Sequence, residues 1–347
     1  MKKIFIVFVL MITVLSGCAV SQPVVPTEIS ISDNSYFEVH YIDVGQADAA
    51  LILCDGAAML IDGGNVADSS LIAAYMKKLD IDYIDYVICT HAHEDHVGGL
   101  SGALSVAKAG AVYAPEIEAD TKAYQNFRLK AGEQGLQIQH STHGNSIALG
   151  SSTVQFLGPI TENVDDLNNT SIVLKIMYGN TSFLFTGDAE HEEEQDIINA
   201  GYDLSADVMK VGHHGSDSST SYVFLREVMP KYAIISVGTG NSYGHPTEEV
   251  LSRLRDADTE VYRTDLQGDI IVKSDGENIS ITTQKNAHAQ TNPTAIAENQ
   301  GYIGNINSKK FHRPDCNSLP AEKNRIYFSS RQEAVESGYS PCGNCRP

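Results

Sequence analysis

The feature that most constrains this chain is the run Thr90-His91-Ala92-His93-Glu94-Asp95-His96-Val97-Gly98-Gly99, which follows an apolar stretch. Four potential metal ligands fall within six residues. In an extended strand end, His91 and His93 point the same way because they are two apart. Asp95 and His96 fall in the turn that follows and are free to serve a second ion. Imidazole and carboxylate together suit zinc, manganese or iron. Gly98 and Gly99 allow other backbone to pass close by. Such a run needs a scaffold that ends a strand at His91 and supplies further ligands from elsewhere.

The remaining pattern supplies one. Alternation and apolar runs predict strands over Phe37–Val44, Ala49–Cys54, Ala58–Asp62 and Ile84–Cys89, with a helix over Ser69–Leu79. Further strands are expected at Val112–Ala114, Val154–Leu157, Ser171–Met177, Ser182–Thr186, Val208–Val211, Ala233–Val237 and Glu260–Arg263. Helices are expected over Ala189–Ala200, Tyr222–Met229 and Thr247–Asp256. Ile270–Lys273 and Ile279–Thr283 read as a hairpin turning at Asp275-Gly276. The mixture predicts an α/β sandwich with sheets inside and helices outside. With 42% hydrophobic residues, the 347-residue chain has ample material for a large core.

The two ends differ from this body. Lys2 and Lys3 precede an apolar run, Ile4 to Leu15, that is too short to span a bilayer and fits a signal peptide. Its ending, Leu15-Ser16-Gly17-Cys18, resembles the lipobox of bacterial lipoproteins. That resemblance implies removal of residues 1–17, lipidation of Cys18, a tether over 18–35, and anchoring at the extracytoplasmic face of the cell membrane. At the other end, residues 285–300 lack apolar periodicity and read as a linker to a small unit, residues 301–347.

Charge divides along the same lines. Residues 301–347 hold seven Lys/Arg against four Asp/Glu, and Lys2 and Lys3 add two positive charges. Subtracting both from the total of −20 leaves −25 on the body. Such a body repels a polyanion at long range. A nucleic-acid role then needs local positive features, namely bound metal and the basic tail.

The ordered motifs identify residues 36–284 as similar to the metallo-β-lactamase superfamily. His91-x-His93-x-Asp95-His96 matches its defining run, Leu60-Ile61-Asp62-Gly63-Gly64 an early aspartate motif, and Phe185-Thr186-Gly187-Asp188 the strand-end aspartate. Within it, the chain resembles the hydrolase domain of ComEC-type competence proteins. That likeness rests on Asp43-Val44-Gly45-Gln46-Ala47-Asp48, Asn168-Asn169-Thr170-Ser171, Lys210-Val211-Gly212-His213-His214-Gly215-Ser216 and Asn241-Ser242-Tyr243-Gly244-His245-Pro246.

The resemblance implies an αββα sandwich holding two divalent ions, zinc or manganese. One ion would bind His91, His93 and Asp188. The other would bind Asp95, His96, Asp188 and one of His213 and His214, with His213 preferred. Many superfamily members add a third histidine to the first ion, where this chain has Asn168-Asn169. Asp95 would orient or deprotonate the attacking water, and His245 would contact substrate or protonate a leaving group. Asp62, Asp43 and Asn169, with Gln46 and Asp48, are expected to support the ligands. His140, His143 and His191 match no motif and read as surface residues, and Cys54 and Cys89 as buried thiols.

The tail carries His312-x-x-x-Cys316 and Cys342-x-x-Cys345, four ligands for a tetrahedral structural zinc, with disulfides as the alternative for an exported protein. It resembles the zinc-binding domain of Ada-type DNA-repair proteins. His312 stands where that family has the methyl-accepting cysteine, which argues against methyl transfer. Lys309, Lys310, Arg313 and Arg325 would give the module DNA affinity; a protein-binding appendage is the alternative.

The expected function is therefore an exported, membrane-anchored phosphodiesterase acting on extracellular DNA, without a membrane channel of its own. A cell-envelope phosphoester hydrolase, such as a teichoic-acid phosphorylcholine esterase, is the rival. A non-catalytic DNA-capture lipoprotein is the rival of another class.

Overall fold

The computed structural model describes residues 36–117, 119–161, 166–293, 301–314, 316–345 and 347. The expected signal peptide, Cys18 and the tether lie outside the described residues. Among the described residues, fifteen strands build the larger body. Those of its first half are β1 (Phe37–Tyr41), β2 (Ala50–Cys54), β3 (Ala57–Ile61), β4 (Tyr83–Ile88), β5 (Lys108–Tyr113), β6 (Ile138–Gln139), β7 (Ser146–Leu149) and β8 (Ser152–Gly158). The others are β9 (Val173–Tyr178), β10 (Thr181–Phe185), β11 (Val208–Lys210), β12 (Tyr232–Ile235), β13 (Glu260–Arg263), β14 (Ile270–Ser274) and β15 (Ile279–Thr283).

They form two sheets. One runs β15-β14-β1-β2-β3-β4-β5-β6 and the other β13-β12-β11-β10-β9-β8-β7. The period-two alternation of each strand divides its side chains between two layers. In β3, Met59 and Ile61 face the layer between the sheets, while Ala58 and Leu60 face helices Ser69–Lys78 and Leu100–Val106. The middle layer is rich in aromatics, including Phe37, Tyr41, Phe156, Phe183 and Phe185. Phe37 packs against Phe183 of the opposite sheet with ring centroids 4.7 Å apart. On the far side, Leu184, Met209 and Ala233 meet helices His191–Ala200, Tyr222–Val228 and Glu248–Asp256 through Ile197, Phe224, Val228, Val250 and Leu254. This is the expected αββα sandwich.

Differences from the sequence reading have local causes. Helix Lys122–Glu133 was not expected, because Ala123, Tyr124, Phe127 and Ala131 give only a thin apolar stripe. Its start is set by Thr121, whose side chain accepts from the Tyr124 backbone N–H. The expected linker is partly docked. Arg255 donates to Asn292 Oδ1 and to the Pro293 carbonyl, and Thr291 Oγ1 donates to Val261 O, so this polar stretch is held by hydrogen bonds that apolar periodicity cannot reveal.

The small C-terminal unit has four strands, β16 (Tyr302–Asn305), β17 (Lys310–His312), β18 (Arg325–Phe328) and β19 (Ser340–Pro341), in the order β18-β16-β17-β19. Its core is Phe311, Phe328, Ala334 and Tyr339. Among the described residues no helix is long and apolar enough to cross a membrane.

Candidate metal centre

β4 ends at Ile88, and the chain enters the loop that carries His91 and His93. Helix Glu94–Val97 then presents Asp95 and His96. Close approach of backbone seats this loop: a Cβ on Gly99 would stand 1.8 Å from Gly63 O. From the second sheet, β10 delivers Asp188 three residues beyond its end, and β11 delivers Gly212-His213-His214-Gly215. His213 and His214 both adopt left-handed backbone, φ 48° and 53°. Two successive non-glycine residues in that region carry strain that surrounding structure must impose.

The loops bring the expected ligands together. His91 Nε2 lies 3.0 Å from His93 Nδ1 and 3.9 Å from Asp188 Oδ2. His96 Nε2 lies 3.2 Å from Asp188 Oδ2 without a directed hydrogen bond, and Asp188 Oδ1 is buried with no partner. His214 Nε2 is 3.2 Å from Asp95 Oδ2 and 3.7 Å from Asp188 Oδ2. Ligand atoms of His91, His96 and Asp188 fall within 4.8 Å of one another, as do those of Asp95, His96 and His214. Imidazole lone pairs and carboxylates converging on unpaired buried atoms are what divalent cations require.

His214, rather than the preferred His213, is the member of the pair that meets Asp95. The reversal comes from the left-handed turn. It drives the His214 ring inward, where Nδ1 donates to Ser236 O at 3.0 Å and faces Asp48 Oδ1 at 3.2 Å. His213 instead has Nδ1 at Glu190 Oε1, 3.2 Å away.

Carboxylates behind the ring nitrogens fix the other imidazoles. Asp62 accepts from His96 Nδ1 at 2.8 Å and from the Thr90 backbone N–H at 2.8 Å. Asp48 joins His214 to the buried ammonium of Lys210, 2.7 Å away. Asp43 does not join them: its carboxylate accepts from Gly45 N and faces Lys285, because it precedes the turn that aims Asp48 inward. Asn169 acts at one remove, accepting from the Glu190 backbone N–H. Ser171, whose hydroxyl accepts from Asp188 N, and Lys210 belong to motifs named from the sequence but have no role assigned there, and Glu190 is in no motif. Glu190 lies two residues beyond Asp188, a spacing that signals a shared side of extended chain.

Electrostatics divide the histidines. Burial holds His91 well below the imidazole range, helped by the neighbouring His96 charge. Burial also opposes protonation of His96 and His214, but carboxylates outweigh it. Asp188 and Asp62 hold His96 well above its usual range, and Asp188 and Asp48 push His214 up to about 10. For Asp95, burial is outweighed by the hydrogen bond from His214 and by the His96 charge, which hold it at about 2.

A pocket of about 310 Å³ opens over this cluster, lined by Gln46, His93, Glu94, Asp95, Asn168, Asp188, His213, His214, Tyr243 and His245. Asn241 fixes His245 by accepting from its N–H and donating to its carbonyl. The His245 ring stacks on Tyr243 and meets His213 edge-on.

In the tail, His312, Cys316, Cys342 and Cys345 have ligand atoms within 4.8 Å of one another. The cysteines are free thiols, like Cys54 and Cys89. Lys309 and Arg325 are engaged inside the module, over the Tyr339 ring and on Pro320 O.

A sandwich with this cluster defines a class, and the comparisons agree. Residues 42–239 match the model of the metallo-beta-lactamase superfamily, and the chain belongs to that superfamily as a metal-dependent hydrolase of its fold. Residues 285–347 match the metal binding domain of Ada. Among curated proteins, the chain is 32% identical to ComE operon protein 3 of Bacillus subtilis over 67% of its own length and 32% of that protein's. It is 33% identical to competence protein ComA of Neisseria gonorrhoeae over 65% of its length and 30% of that protein's. The chain thus spans about a third of the length of the curated relatives it matches. A solved neighbour is the metallo-beta-lactamase fold protein YhfI of Bacillus subtilis, with TM-score 0.46 and 13% identity over 71% of this chain and all of that one.

Proposed function

We propose that this chain is a dinuclear phosphodiesterase acting on extracellular DNA, held at the outer face of the cell membrane by a lipid on Cys18. The observation that carries the reading is the unpartnered Asp188 Oδ1 beneath a pocket lined by Asp95 and four imidazoles, those of His93, His213, His214 and His245. His91, His93 and Asp188 would hold one ion, and Asp95, His96, Asp188 and His214 the other. When bound, a zinc or manganese pair lowers the pKa of water towards about 7 and stabilises charge on phosphoryl oxygens.

The chain's own residues do the rest. Asp95, ionised throughout the physiological range, is the proton acceptor beside the reacting water. His245, fixed by Asn241 on the pocket wall, is placed to contact the phosphate and give a proton to the leaving oxygen. His312, Cys316, Cys342 and Cys345 would hold a structural zinc, which leaves no thiolate to accept a methyl group at position 312. The likeness to competence proteins supports DNA as the substrate.

One observation favours a second reading. Among the described residues no Lys or Arg lines the pocket, whereas Glu94 and the Tyr243–His245 stack do. Such walls suit a quaternary ammonium, so a phosphorylcholine ester of the cell envelope is the rival substrate.

The test is a panel on the zinc- or manganese-loaded full chain. It offers single- and double-stranded DNA, bis-p-nitrophenyl phosphate, p-nitrophenyl phosphorylcholine and a β-lactam, with a His93→Ala/Asp95→Ala control. DNA cleavage absent from the control supports the lead. Turnover of the choline ester alone replaces it with the rival. DNA binding without turnover of any substrate makes the chain a capture protein.

A further inference from the structure

Once His214 takes the place beside Asp95, His213 is left out of both ligand sets, yet it is built like a ligand. Three imidazoles of the cluster share one construction, with Nδ1 on a fixed partner and Nε2 turned to the centre. His96 uses Asp62, His214 uses Ser236 O and Asp48, and His91 uses the hydroxyls of Thr90 and Ser171 at 3.2 and 3.4 Å. His213 repeats it. Its Nδ1 lies 3.2 Å from both Glu190 Oε1 and Ser218 Oγ, and its Nε2 lies 3.7 Å from Asp188 Oδ2. That is slightly nearer the shared aspartate than His91 Nε2, at 3.9 Å. A carboxylate behind the distal nitrogen is the arrangement that orients metal-bound histidines.

Glu190 is itself braced. Asn168 Nδ2 donates to Glu190 Oε1 at 3.2 Å, Ser218 Oγ donates to it at 2.8 Å, and Asn169 Oδ1 accepts from Glu190 N at 3.0 Å. The Asn168-Asn169 pair thus leads through Glu190 to His213. Meanwhile the first ion has three protein donors, His91, His93 and Asp188, and a catalytic ion that keeps one position for water can still take a further imidazole by expanding to five-coordinate.

We infer that His213 supplies an imidazole to the first ion, with Glu190, Asn168 and Asn169 as positioning residues, so that the adjacent histidines His213 and His214 serve different ions. The inference rests on the dinuclear reading above.

Metal content tests it without reference to turnover. The full chain is loaded with Co(II), freed of excess and analysed by mass spectrometry for cobalt per chain. The thiolate-to-cobalt absorption of the tail is followed separately. His213→Ala is expected to lose one core ion, as is His214→Ala, and the double variant both, with the thiolate band unchanged throughout. Glu190→Gln, which keeps the imidazole, is expected to weaken one core ion about tenfold. The inference is overturned if His213→Ala and Glu190→Gln hold cobalt as tightly as the wild type, or if the double variant retains as much as His214→Ala. A wild-type chain that holds only the tail's ion overturns the dinuclear reading, and this inference with it.

Discussion

His214 and Asp95, 119 residues apart in sequence, face each other across 3.2 Å. The contact joins a loop of one sheet to a loop of the other. Asp188 reaches across in the same way, from the end of β10 to His91 and His96 of the β4 loop. The centre therefore lies where the two halves of the sandwich meet, and an ion bound there ties them together. Ligands that bind only the folded state stabilise it by mass action, about 2.7 kcal/mol at a hundredfold excess over Kd. Metal removal is expected to lower the melting temperature of the larger body by about 5–10 °C. Calorimetry with and without a chelator measures this, and an unchanged transition would count against a cation at the sheet junction.

Binding should also release protons. Asp188 and Asp48 overcome the cost of burial and hold His214 protonated up to about pH 10 in the metal-free protein. A metal needs the Nε2 lone pair, so that proton must leave. Raising the pH towards 10 removes the competing proton, so apparent affinity should rise by about tenfold per unit for this group alone. Titration calorimetry in two buffers of different ionisation enthalpy reads the release directly; equal heats in both would contradict it.

Asp62 holds His96 in the tautomer that turns Nε2 to the centre, and it receives Thr90 N and Oγ1 as well. Asp62→Asn preserves the shape but offers one acceptor oxygen fewer. Metal affinity is expected to fall by about 10- to 100-fold with little loss of fold. Competition against a chromophoric chelator gives the number, and wild-type affinity would show that the ring is fixed by packing instead.

These supports mark how far the sequence could be read. The ligand run was legible because His91, His93, Asp95 and His96 are local: strand period and turn spacing alone place them together. The sandwich was legible from period-two strands whose faces feed separate layers. The roles of His213 and His214 were not, because they depend on consecutive left-handed residues, and spacing does not encode φ. Asp43 and Asp48 flank a turn whose direction decides which of them reaches inward. Lys210 opens a motif legible in the sequence, but its pairing as a buried ammonium behind Asp48 is not, because the two residues come from different sheets.

Glu193 gives a stability test away from the centre. Its carboxyl is buried and accepts from Ile160 N, and burial pushes its pKa up to about 7. Raised above its unfolded value, the protonated form favours folding. That contribution is fully present below about pH 4.5 and is lost as the pH rises through 7. Glu193→Gln stays neutral, so the two proteins should match near pH 4.5. At pH 8 the variant should be the more stable, by on the order of 3 kcal/mol. Urea midpoints at the two pH values make the comparison, and a constant difference between the proteins would remove the titration from Glu193.

The tail offers the sharpest dependence on metal. Among the described residues its main apolar cluster is four side chains, Phe311, Phe328, Ala334 and Tyr339, with Tyr302 packed against them. A core so small does not offset the chain entropy of ordering about 45 residues. The four ligands supply the remainder: His312 Nδ1 stands 3.4 Å from Cys316 Sγ, and the backbone amides of Ser318 and Asn344 point at the sulfurs of Cys316 and Cys342. Amide donors aimed at sulfur stabilise thiolates, the form that zinc binds. Cys342→Ser, or a chelator on the wild type, is expected to expose residues 301–347 to protease while the larger body survives as a resistant fragment. His312→Cys, which restores a fourth thiolate, is expected to keep the tail folded and resistant. Protease protection of the Cys342→Ser tail in the presence of chelator would mean that the four core side chains suffice and that the cluster is not what folds this unit.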